Sequence, residues 1–197
     1  MHRTSLPVDL VKSTDLSHNV YCNVMERARH HSQQVLDRVD TGDRVVGSVR
    51  RRDVFRQSVN FRVAHLLLFN KRGDLLVQRL AQTRERHPGR WGSSVAAYVA
   101  SGESYREAIE RRTREELGVQ AEFVELLGKT SMDEASGCKK FISVFSGCWD
   151  GAFAIDESHI SEVRFVPVKE VLRTRKEEPG RLTPTFLHVV DCYLAGP

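Results

Sequence analysis

Apolar residues in this chain fall into short β-branched and aromatic runs, bounded by Gly, Asp and Asn, a pattern that predicts strands and turns. Residues 34–39 and 44–49 read as two strands around the turn Thr41-Gly42-Asp43. Residues 62–69 and 75–80 read as a second pair around Asn70-Lys71-Arg72-Gly73-Asp74, and together they predict a long central hairpin. Further strands are expected at 94–99, 123–131, 138–149 and 162–168, with the polar turn 133–137 between the middle two. The spacing turns helical from about 104 to 117, where Gly118 supplies a C-terminal cap. It does so again after Thr183 and Pro184, where Phe186, Leu187, Val190, Tyr193 and Leu194 share one face. Short helices are expected at 53–56 and 169–173. This order predicts an α+β sandwich.

Before residue 34 the pattern weakens. Val20, Val24 and Ala28 recur at helical spacing until His30-His31-Ser32 breaks the stripe. We read residues 1–33 as an N-terminal extension and 34–197 as the folded domain. The adjacent histidines lack a third ligand and read as surface.

Composition narrows the function classes. The chain of 197 residues is 40% hydrophobic and 28% charged, as expected of a soluble folded domain. No apolar run approaches the ~18 residues of a membrane span, and the first ten residues lack the apolar core of a secretory signal. Cys22, Cys138, Cys148 and Cys192 form no Cys-x-x-Cys pair, which argues against zinc and disulfides and for a reducing, cytoplasmic setting. The net charge of +4 is uneven: Arg50-Arg51-Arg52 and Arg84, Arg86, His87, Arg90 form two basic clusters. Such clusters attract polyphosphate or nucleic acid, but neither is interleaved with aromatics for base stacking, and a solvated surface is the simpler reading.

The chemistry is concentrated between Ala97 and Val119. Glu103 follows Ala97 after five residues, and after seven more comes Arg111-Arg112-Thr113-Arg114-Glu115-Glu116-Leu117-Gly118-Val119. This run resembles the Nudix box, with Glu103, Arg111, Glu115, Glu116, Gly118 and Val119 in register. Ala97 replaces the first glycine, Thr113 an apolar residue, and Arg112 a helix glutamate. The resemblance implies an α/β/α sandwich around a mixed β-sheet and metal-dependent hydrolysis of a diphosphate linkage in a nucleoside or other organic diphosphate. It further implies Mg²⁺ or Mn²⁺ on Glu115 and Glu116, and a Glu103–Arg111 pair that holds loop to helix. Carboxylates at i, i+3 and i+4 share one helix face and suit a hard cation. Here two glutamates and Arg112 sum to −1 where three acids would give −3, and Arg112 can reach both glutamates. Weak hydrolysis is expected. A substitute acid is expected among Asp156, Glu157 and Glu162, with Glu157 the candidate, and Arg112, Arg84 and Arg90 are candidates for binding phosphate. The alternative is a catalytically degenerate Nudix domain that binds a ligand, RNA or protein, with Arg112 as a fixed cation.

Within the family the chain is similar to the isopentenyl-diphosphate isomerases, through Trp91-Gly92-Ser93-Ser94-Val95, Gly102-Glu103-Ser104 and the arginine-rich stretch 111–118. Isomerisation requires a cysteine where Ala96 stands and a metal-binding histidine where Tyr98 stands. A second histidine would fall near Phe61, and paired glutamates near Cys138 and Lys140. An isomerase-like branch without isomerase activity is therefore expected.

Overall fold

The computed structural model describes residues 33–120 and 124–196. The helical spacing at Val20–Ala28 and the pair His30-His31 lie outside them.

The chain opens with an antiparallel hairpin, β1 (Val35–Val39) and β2 (Val45–Arg50). A turn of 3₁₀ helix, Arg51–Asp53, replaces the helix expected slightly later. Then follow β3 (Phe61–Phe69), β4 (Leu75–Leu80), β5 (Trp91–Gly92), β6 (Val95–Tyr98), α1 (Tyr105–Leu117), β7 (Glu125–Asp133), β8 (Lys139–Cys148), β9 (Ile160–Val166), α2 (Val168–Glu177) and α3 (Pro184–Ala195).

β3 organises the larger sheet. One edge pairs with β8, parallel, along its full length, and the other pairs antiparallel with β6 over Val63–Leu66. The central hairpin expected from the sequence is corrected here: β3 and β4 share a single pair, Phe69↔Leu75, beside the turn. That turn is closed by Asn70 Oδ1, which accepts from the backbone of Arg72 and Asp74 at 2.9 Å each. Beyond it β6 takes the edge of β3, while β4 pairs with β9 and β5. The result is a mixed sheet.

Both faces of β3 are buried. Ala64, Leu66 and Leu68 face Ala108, Ile109 and Leu117 of α1, whereas Phe61, Val63 and Leu67 share a second core with Phe186, Val189 and Val190 of α3. Helix, sheet and helix form an α/β/α sandwich.

Local chemistry fixes the ends of α1. Ser104 Oγ accepts from the Glu107 amide at 3.2 Å, and the Glu107 carboxylate accepts from the Ser104 amide at 2.8 Å, a reciprocal N-terminal cap. Gly118 ends the helix at φ +66°, where a Cβ would come within 2.8 Å of the Ala154 side chain. The loop carrying Ala154 docks on the same end: the amides of Ala154 and Asp156 donate to the carbonyls of Leu117 and Glu116, both at 2.9 Å. Helix carbonyls without an intrahelical partner are thereby satisfied, and the acidic loop is anchored beside Glu116.

Candidate active site

Loop and helix are joined by Glu103 and Arg111. Arg111 Nε lies 2.8 Å from one oxygen of Glu103 and its NH2 nitrogen 3.0 Å from the other, a two-point contact. Glu103 also accepts from the Ala100 amide at 2.9 Å, and Arg111 donates to the Tyr98 carbonyl at 3.2 Å. The end of β6, the following loop and α1 are thus held by one ion pair.

One turn further on, Arg112 lies between the two box glutamates. It donates to Glu115 at 3.0 Å and to Glu116 at 2.6 Å. Arg112 and Glu116 are both buried, while Glu115 is half-exposed and shared with Arg111. The two acids differ accordingly. Burial pushes the Glu115 carboxyl up, but hydrogen bonds and charge from Arg112 and Arg111 outweigh it and hold the group below its ordinary range. Burial raises Glu116, opposed by the charges of Arg112 and Arg84. Its ionised form therefore depends on those arginines. The second oxygen of Glu116, Oε2, is buried without a hydrogen-bond partner.

Further residues converge on Glu116 from outside the helix. Arg84, in the segment after β4, is half-buried, and burial lowers its pKa against the pull of Glu116. Arg51, at the end of the first hairpin, lays its guanidinium over the Tyr98 ring, 4.2 Å from the centroid. Tyr98 in turn stacks on Phe61, at 5.5 Å and 17°. Burial, with the charges of Arg84 and Arg112, also depresses Arg51. Asp156 bonds Ser158 Oγ at 2.5 Å and His159 Nδ1 at 2.9 Å. Burial and the charges of Arg112 and Arg84 lower His159 to about 4, which leaves it neutral at pH 7.

Three residues singled out in the sequence are placed elsewhere. Glu157 is exposed, and its neighbour Asp156 is the loop acid that acts electrostatically on Glu116. Arg90 lines a separate cleft of about 480 Å³ with Arg79, Trp91, Glu162, Arg164 and Arg181, which also takes Glu162 away from α1. Conversely, Arg51 and Asp156 enter the cluster although sequence reasoning did not favour them. The signal for Arg51 was its place in a triple arginine whose neighbours, Arg50 and Arg52, are exposed.

The positions that matter for isomerisation carry other chemistry. Ala96 is exposed on β6, opposite the buried His65. Lys140 is buried and ion-paired with Glu134, and it donates to Thr185 Oγ1 at 3.0 Å, so a cation stands where that chemistry would place a carboxylate.

Do these residues fit a divalent cation? Among the described residues no three His, Cys, Asp or Glu side chains are grouped to hold one. The Arg112 guanidinium fills the space between Glu115 and Glu116, and Arg84 and Arg51 add positive charge that acts on Glu116, whose Oε2 is a buried oxygen without a hydrogen-bond partner. They do not fit a resident metal ion.

A family model for the NUDIX domain matches residues 59–186. The chain belongs to the Nudix family. It is 31% identical over 156 residues to an uncharacterized Nudix hydrolase of Pseudomonas aeruginosa, covering 79% of this chain and 90% of that protein. It is 26% identical over 156 residues to an isopentenyl-diphosphate Delta-isomerase of Burkholderia multivorans, covering 78% and 89%. Among solved structures, DR0079 from Deinococcus radiodurans superposes with a TM-score of 0.70 at 26% identity, covering 81% of this chain and 99% of that one. Nudix hydrolases cleave diphosphate linkages and generally use divalent metal cations, and this chain is a Nudix hydrolase.

Proposed function

We propose that this Nudix hydrolase cleaves the diphosphate linkage of a small organic diphosphate, a nucleoside diphosphate or a related ester, at the face of α1 that carries Glu116. One observation carries the reading: a fully buried glutamate, whose carboxyl burial pushes up against the opposing charges of Arg112 and Arg84, keeps one carboxylate oxygen without a protein partner. Leaving a buried acceptor unsatisfied costs about 1–3 kcal/mol, a cost that folds tolerate where function needs the group. Hydrolysis requires a water to add to one phosphorus while the bridging P–O bond breaks. An acceptor for the water's proton and cations for the phosphoryl oxygens are the groups it calls for. Glu116 Oε2 is assigned the first role and Arg84 and Arg51 the second. Arg112 positions Glu116, and Asp156, bonded to His159, closes the loop side. Turnover is slow, because Arg112 stands where the box supplies a further acid, which leaves this helix face at −1 rather than −3. Cys138, Cys148 and Cys192 are free thiols, as suits a cytoplasmic enzyme.

The test is phosphate release from a panel of organic diphosphates in Mg²⁺, in Mn²⁺ and in EDTA, with wild type and Glu116→Gln compared on the best substrate. Turnover above background that falls about 10²-fold or more in the variant is expected. Equal turnover in the two proteins would remove Glu116 from the reaction.

A further inference from the structure

Away from the box helix, four arginines converge on one cleft. Its volume is about 480 Å³, and it is lined by Arg79 of β4, Arg90 just before β5, Arg164 of β9 and Arg181 of the 3₁₀ turn Pro179–Arg181. Arg79 stands opposite Trp91 on one neighbouring strand and opposite Glu162 on the other. Arg164, two residues beyond Glu162, shares that face of the sheet. Leu75, Val77, Trp91 and Val166 on the same face belong to the core built with α3, so the cleft lies on the side of the sheet turned away from α1.

These charges are held in place and left largely unanswered. The Arg164 guanidinium lies over the buried Trp91 ring, 4.3 Å from its centroid. Arg79 Nε donates to the Gly89 carbonyl at 3.1 Å. Gly89 has φ +70°, and a Cβ there would come within 2.5 Å of the Gln82 amide, so the wall carrying that carbonyl needs glycine. Arg181 is paired with Glu178 at 3.2 Å. Among the described residues the side chains of Arg90 and Arg164 form no hydrogen bond or ion pair, and neither does that of Glu162, the acid in the lining. Counting Glu178 with the lining, four guanidinium groups face two carboxylates, a surplus of +2. Like charges gathered in a concave site repel one another and focus their field on an anion, and the guanidinium fork fits phosphate oxygens. Trp91, the one aromatic ring among the described lining residues, is buried under Arg164 and offers no face to a nucleobase. We propose that this cleft is a second anion site, which takes a small oligophosphate through its phosphate groups alone. It stands or falls independently of hydrolysis at α1.

Inorganic tripolyphosphate is the probe, and Trp91 is the local reporter. The chain has two tryptophans, so Trp149→Phe leaves the emission of Trp91 to be read while the full chain is titrated in EDTA at fixed ionic strength. Arg79→Gln, Arg164→Gln and Arg114→Gln are compared in that background, with the melting midpoint of each recorded. Arg114 is exposed on α1 and reports on surface charge alone. A saturable change in Trp91 emission is expected, with affinity at least about tenfold weaker in Arg79→Gln and in Arg164→Gln and unchanged in Arg114→Gln. If one of the first two fails to fold, the other still decides. No saturable change, an affinity indifferent to both arginines, or an equal loss in Arg114→Gln would overturn the site. The titration is repeated with a short oligouridylate. Binding of that strand in preference to tripolyphosphate would make the cleft a nucleic-acid surface and overturn the small-ligand assignment.

Discussion

Arg112 shows how one residue redirects a site. Its spacing from Glu115 and Glu116 was enough to foresee that it reaches both, because helix geometry fixes neighbours at i+3 and i+4. The Glu103–Arg111 contact was legible for a different reason, the box register. The choice between Asp156 and Glu157 was not legible. Adjacent acids in a loop are equivalent until a backbone bond, here from the Asp156 amide to the Glu116 carbonyl at 2.9 Å, decides which one turns toward the helix. Glu103 also yields a prediction. Glu103→Gln keeps the shape but removes the charge that Arg111 grips at two points, with Arg111 itself partly solvated. It should lower unfolding free energy by about 1–2 kcal/mol in urea denaturation, with turnover per folded molecule changed far less than in Glu116→Gln. Undiminished stability would show that the pair does not hold loop to helix.

At the level of elements, α1 was the easiest to read, since Gly118 and a helical run mark it in sequence. The central hairpin was misread because the turn Asn70–Asp74 predicts a local pair but cannot show that β6 competes for the same edge of β3. Long-range pairing was decided by the buried faces: β3 serves both cores at once. The layer between β3 and β6 makes a pH prediction. His65 is buried opposite Ala96 and bonded to Ser93 Oγ at 2.7 Å, and burial, with the charges of Lys140 and His188, lowers its pKa to about 3. The unfolded chain takes up a proton near the ordinary value of 6.5 that the folded chain refuses. Stability is therefore fully present above 6.5 and is lost as pH falls from there toward 3, by about 1.4 kcal/mol per pH unit for one proton. His159, lowered to about 4, contributes with the same sign. In His65→Gln the fall in stability between about pH 6 and 5 should be shallower by close to one proton. Parallel curves for the two proteins would mean that His65 protonates without cost in the fold.

For the whole molecule, the α/β/α arrangement follows from the order of strands and helices, but the composition of the site does not. Arg51 from the 3₁₀ turn after the first hairpin, Arg84 from the segment after β4, the α1 face and the 154–159 loop meet only through tertiary structure. Together they set arginines around Glu116 where the family's general chemistry calls for a divalent cation. The central claim is that this helix face receives the diphosphate, with arginine charge in the metal's place. Arg112→Glu tests it most directly, since the substitution rebuilds a three-acid face in one step. Mn²⁺ affinity and pyrophosphate affinity in EDTA are measured side by side for wild type and variant. The account predicts opposite changes: tighter Mn²⁺ binding, because three carboxylates now face one space, and weaker pyrophosphate binding, because a fixed cation is gone. Unchanged affinity for both would contradict it and place the site elsewhere on the molecule.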